Sequence, residues 1–202
     1  MNARLITGLI YVNAFIVGSV LMGFEMLGSR YLFPYFGGGI GTWAGLISTV
    51  LGALTIGYFV GGIMVDRHPS PYDIPIAVAA ASLYLFAVPA TADTVMAWVL
   101  AVLGEGPTGI LFAAGALLLV PVTFLGMLSP MSMRLLLHST AKAGRVSGTV
   151  YGVSTIGNVF GTLFTTFALI PNMGSRSTTY LFAGLLAFCA VSLFVGARKV
   201  SK

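Results

Sequence analysis

Glu25 is the residue of this sequence whose chemistry stands out most. It interrupts the long apolar run from Leu5 to about Leu32. A carboxylate at membrane depth is costly and is usually turned inward to serve an ion or proton path. Counted from Leu5 at about 1.5 Å per residue, Glu25 falls toward the outer leaflet and Arg30 near the outer boundary. Five residues correspond to roughly 140° of helix rotation, so Glu25 and Arg30 do not share a face. Arg176, expected on the same side of the membrane, is the candidate partner. Two readings follow: a proton or cation site, or a structural ion pair tying the first run to an outer turn.

A second set of groups lies between 146 and 170. Ser147, Tyr151, Ser154, Asn158, Thr162 and Thr165 recur every three or four residues. That spacing puts them on one helix face. A thinner stripe, Ser48, Thr55 and Tyr58, lies between 42 and 65. Facing each other, the two would line a polar cavity near the midplane, with Tyr151, Ser154 and Asn158 at its centre. The alternative is interhelical hydrogen bonding, worth about 0.6 kcal/mol per contact in membranes.

Small residues four apart recur as Gly41/Gly45, Gly57/Gly61 and Gly157/Gly161. Such pairs let helix backbones approach closely, either within one chain or across a homodimer seam. Gly41 and Gly45 open the second run as Gly144 and Gly148 open the fifth, and Gly57 and Gly61 close the second run while Gly157 and Gly161 lie deep in the fifth. Such a repeat is expected of two three-helix halves of opposite topology, although glycine pairs are also common packing devices. Asp66 and Arg67 close the second run at the cytoplasmic end. Asp66 is placed to latch a neighbouring helix start, with Arg145 as the group that closes the latch; ordinary flanking charge is the alternative.

The elements that must position these groups are helices in lipid. The chain has 202 residues, 57% of them hydrophobic and only 7% charged. A soluble domain carries about 25% charge. The expected fold is all-α: one polytopic membrane domain over 1–202 with about six spans. They are placed near 5–32, 42–65, 74–90, 108–128, 146–170 and 178–195. Pro34 ends the first run before a tight connection through Phe36–Gly39. Pro89 ends or kinks the third, and Pro121 kinks the fourth. Residues 93–103, with Asp93 as N-cap and Trp98 as anchor, are too few to cross and read as an interfacial helix. Met131–His138 reads as a short amphipathic helix, and Pro171–Gly174 as a turn. The first run is too long for a signal peptide and reads as a retained helix.

With the N-terminus inside, six spans place Arg4, Arg67, Arg134, Lys142, Arg145, Arg198, Lys199 and Lys202 in the cytoplasm. Only Arg30 and Arg176 fall outside, in keeping with the positive-inside rule. The expected location is the cytoplasmic (inner) membrane, with both termini cytoplasmic. Topology therefore accounts for the net charge of +5, and no nucleic-acid partner is expected. Cys189, the single cysteine, excludes an internal disulfide. His68 and His138 are widely separated, so no metal site and no cofactor are expected. No glycine-rich phosphate loop is present. A membrane-embedded enzyme would need paired acids or a nucleophile with a base at membrane depth, and neither is found.

Two stretches resemble the membrane portion of spermidine-synthase-like proteins, the fused major-facilitator/spermidine-synthase group. The first runs from Glu25 to Arg67: FEMLGSRYLFPYFGG, GTWAGLISTVLGALTIGYFVGG and VDR. The second runs from Val120 to Thr178: VPVTFLGMLSPMSMRLL and GRVSGTVYGVSTIGNVFGTLFTTFALIPNMGSRST. The resemblance implies a transporter-like bundle, about half a major-facilitator unit. The soluble aminopropyltransferase domain usual in that group has no counterpart here, so polyamine synthesis does not carry over. It implies work beside a separate soluble aminopropyltransferase-like partner or pairing with a second copy. The functional expectation is a transporter-like protein for a small solute, proton-coupled through Glu25. The rival is a non-catalytic accessory or anchoring subunit of a larger membrane complex or of a separate soluble enzyme.

Overall fold

The computed structural model describes residues 3–67, 69–136 and 143–200, and the side chains of 7–67, 69–136 and 144–199. His68, His138, Lys142 and Lys202 lie outside the described residues, as does the side chain of Arg4. Among the described residues all regular structure is helical. Helix α1 spans Ala3–Phe36, α2 Ile40–Arg67 and α3 Asp73–Leu103. The segment Pro107–Leu136 is α4, which contains a wide π turn over Gly115–Leu119. Helix α5 spans Ala143–Phe164 and runs through a second π turn, Thr165–Leu169, into α6, Ile170–Val200.

Five of these helical runs are long and apolar enough to cross a membrane, rather than the six expected. The difference lies in the last, Gly144–Lys199, whose 56 residues form one continuous run. At about 1.5 Å per residue such a run is more than twice the bilayer thickness. It is not straight: Gly174 has φ 73° and ψ 171°. That left-handed φ suits glycine, which lacks a Cβ to clash. The expected turn at Pro171–Gly174 is therefore a break at Gly174 itself.

Side-chain register proves the reversal. Gly157 packs on Phe15, Gly161 on Ser19 and Thr165 on Gly23, so α5 runs parallel to α1. Beyond Gly174 the direction inverts. Thr179 meets Tyr31, whereas Ser192, farther along, meets Asn13. Helix α2 runs parallel to α4, with Gly45 on Ile110, Gly57 on Thr123 and Gly61 on Met127. Helices α3 and α6 are antiparallel: Tyr72 lies beside Phe194, and Phe86 beside Tyr180. Exchange α1 with α4, α2 with α5 and α3 with α6, and this pairing pattern maps onto itself. Gly57/Gly61 and Gly157/Gly161, which match in sequence, thus make matching contacts, as two inverted halves would. Gly144 and Gly148 do not match Gly41 and Gly45 in this, having nothing within 4 Å of an added Cβ.

The prolines behave differently from expectation. Residues 93–103 are not a separate interfacial helix, because α3 continues unbroken through Pro89. Pro34 likewise lies inside α1, which ends at Phe36 before Gly37 at φ 69°. Proline removes one backbone donor, but hydrocarbon offers the chain no other partner for its remaining groups, so helix is retained. Pro121 and Pro171 each follow a π turn. Widening the turn relieves the clash of the ring with the preceding carbonyl.

A π turn shifts the hydrogen-bond ladder and frees a carbonyl, which hydrocarbon cannot satisfy. The Tyr84 hydroxyl of α3 donates to Ala116 O inside the first π turn. Tyr84→Phe should lower unfolding stability in detergent by about 1–2 kcal/mol through this lost hydrogen bond. Chemical denaturation followed by circular dichroism measures it.

Candidate functional site

Glu25 is 7% exposed. On α1 it shares a three-to-four-residue stripe with Leu21, Gly28 and Leu32, all buried. Gly28 on that stripe faces Leu46 of α2 and Leu117 and Leu118 of the first π turn. The carboxyl is therefore set on the interior face of α1, on the side of α2 and α4. Among the described residues it has no hydrogen bond and no ion pair.

Arg176 does not reach Glu25. It forms a close ion pair with Asp93, and both side chains are more than half exposed. This contact joins α6, just beyond Gly174, to α3. Sequence reasoning missed Asp93 because it was assigned to the start of a separate helix. Arg30 is exposed, without an ion pair among the described residues.

The polar stripe of α5 is largely a seam. With its amide oriented to donate, Asn158 Nδ2 lies 2.9 Å from Gly18 O and 3.3 Å from Ser154 O. Ser154 O in turn abuts Gly18. Thr162 Oγ1 donates to Asn158 O at 2.9 Å. Gly157 and Gly161 leave no room for a Cβ, which would stand 2.2 Å from Phe15 O and 2.0 Å from Ser19 O. Small residues were needed so that α1 and α5 could touch backbone to backbone. Tyr151 stands clear of the seam, 44% exposed.

The expected pairing of α2 with α5 is replaced by α2 on α4 and α5 on α1. On α2, Thr55 Oγ1 donates to its own Leu51 O, and Tyr58 is 40% exposed. Gly41 and Gly45 both face Ile110 of α4, while Gly57 abuts Thr123 O and Gly126. All three glycine pairs thus serve packing within the chain.

The latch closes on a different arginine. Asp66 lies 3.9 Å from Arg134, at the end of α4, with side chains 75% and 54% exposed. Arg67 and Arg145 are exposed and make no ion pair among the described residues. Exposed pairs of this kind contribute under about 1 kcal/mol. Topologically, Arg67, Arg134, Arg145, Arg198 and Lys199 gather at one end of the bundle, and Arg30 and Arg176 at the other.

A pocket of about 210 Å³ lies between α3 and the first π turn, lined by Tyr84, Thr91, Met96, Ala116 and Leu117. It is smaller than the roughly 300–1,000 Å³ of small-molecule sites. Among the described residues no three histidine, cysteine or acidic side chains are grouped to hold a metal. Compared with known proteins, the chain matches no family model, no curated protein and no solved structure.

Proposed function

We propose that the chain is a transporter-like membrane protein for a small solute, with proton coupling through Glu25. In this reading α5 and α6 each cross the membrane, giving six spans with both termini cytoplasmic, in the inner membrane. The observation that carries it is Glu25, a buried carboxyl on the interior face of α1 with no hydrogen bond or ion pair among the described residues. A purely structural acid would be paired, because an unpaired buried charge is strongly unfavourable. The two inverted halves support the same reading, since transporters place their sites where such halves meet. The resemblance to the membrane part of spermidine-synthase-like proteins points the same way. Uptake into vesicles tests it. Glu25→Gln should abolish proton-driven accumulation, and unchanged, pH-insensitive uptake would remove Glu25 from the mechanism.

A second reading draws on the α5 stripe, whose polar groups are used in packing. A chain that spends them so needs no cavity of its own and serves as an accessory subunit of a larger membrane complex, or anchors a soluble aminopropyltransferase-like enzyme. Gentle purification from native membrane separates the two. A stoichiometric partner of different sequence favours the subunit.

A further inference from the structure

Among the described residues Glu25 is the only buried charged side chain. Tyr31, six residues outward on α1, meets Thr179. The Asp93–Arg176 pair stands three residues of α6 beyond that, about 14 Å outward of Glu25 along the axis. At the inner end Ser192 meets Asn13, which puts Arg198 about 27 Å inward. Arg30 is nearer, but it is exposed and turned roughly 140° away.

The face that carries Glu25 is lined by leucine. One turn outward, a Cβ added at Gly28 would meet the methyl ends of Leu46, Leu118 and Leu117 at 3.1, 3.4 and 3.7 Å. These are side-chain tips, which can swing aside for a guest, unlike the backbone oxygens that crowd Gly57 and Gly157. The neighbouring polar groups are already used. Ser29 Oγ donates to Met26 O. Two turns inward, the Asn158 amide in its donating orientation serves Gly18 O.

Charge balance limits what such a site can hold. In hydrocarbon it is neutral in two states: the carboxyl with its proton, or the carboxylate beside one positive charge. A neutral or anionic solute cannot replace the proton. A polyamine would bring excess charge, and so would a divalent metal ion, which also needs six or more oxygen ligands. Any N–H that the carboxylate does not accept would face leucine unsatisfied, at a cost. A cation of one charge, without N–H donors and with apolar arms to pack on leucine, meets every condition.

We infer that the solute is a singly charged quaternary cation with apolar substituents, paired with Glu25 in exchange for its proton. The carboxylic acid gives up one proton as one cation binds, so the exchange is one for one and moves no net charge. This rests on the transport reading above and assigns its solute.

Proton release tests it on the purified chain in unbuffered detergent solution. Tetraethylammonium should displace about one proton per chain from protonated Glu25, and its affinity should rise about tenfold per pH unit while Glu25 stays protonated. Glu25→Asp should keep the release and Glu25→Gln should lose it. Spermidine should bind at least about tenfold more weakly. In vesicles of phosphatidylethanolamine and phosphatidylglycerol, acid inside, wild type should accumulate tetraethylammonium above the level reached with Glu25→Gln. Setting the membrane potential with potassium and valinomycin should leave that accumulation unchanged, whereas transfer of one net charge would change it tenfold for each step of about 59 mV. No proton release, tighter binding of spermidine, or accumulation that follows the potential would overturn the solute assignment. A different solute still exchanged with protons through Glu25 would leave the transport reading standing without it. Proton-driven uptake unaffected by Glu25→Gln would sink both.

Discussion

Gly161→Val should unfold or severely destabilise the bundle, by about 3 kcal/mol or more, the upper range for overpacking. The new Cβ would stand 2.0 Å from Ser19 O, and the obstacle is backbone, which cannot swing away as a side chain could. Helices α1 and α5 would have to separate along their whole seam, taking Gly157 off Phe15 and Asn158 off Gly18 with them. Gly184→Val is the matched control, because Gly184 is exposed and has open space around it. Its cost should be confined to the lower helix propensity of valine, below about 1 kcal/mol. Thermal unfolding of both variants in the same detergent measures the difference. Comparable midpoints would remove the backbone contact as a source of stability.

Glu25→Leu should make the protein more stable, by about 1–3 kcal/mol, the penalty of a buried polar group without a partner. Most substitutions of buried residues destabilise, so the sign is the informative part. A structural ion pair with Arg176 would predict the reverse, since breaking it would strand a charge. Arg176, however, is engaged with Asp93. Stability gained on removing a residue, together with lost activity, marks a group kept for function at a cost to the fold. Denaturant titration of Glu25→Leu against wild type decides between these outcomes; a loss of stability would return Glu25 to a structural role.

Much of the architecture was legible because lipid leaves the backbone few choices. Apolar length located the helical runs, and glycine spacing located the seams. The sequence did not reveal which helix each seam would face, because a glycine pair marks a close approach and not its partner. Gly57/Gly61 and Gly157/Gly161 lie where α2 approaches α4 and where α5 approaches α1, rather than where α2 would approach α5. The extent of α3 was misread at Pro89. Proline commonly ends helices in water, where freed carbonyls find solvent, but in hydrocarbon it is carried within the helix. Asp93 and Arg134 were the missing partners of Arg176 and Asp66. Ion pairs at helix ends depend on which ends adjoin, and this is set by topology rather than by local sequence.

The two wide turns, Gly115–Leu119 and Thr165–Leu169, bear on how such a chain tolerates changes in length. A π turn is in effect a single extra residue absorbed without a loop, and it rotates everything downstream by roughly 100°. Delete one residue from Gly115–Leu119, and Gly126 would swing away from Gly57 while the helix itself survived. The phase of an entire span is therefore held in one turn. Insertions and deletions there would act as a rotary adjustment of which side chains face the interior, leaving the ends of the span at the membrane surfaces.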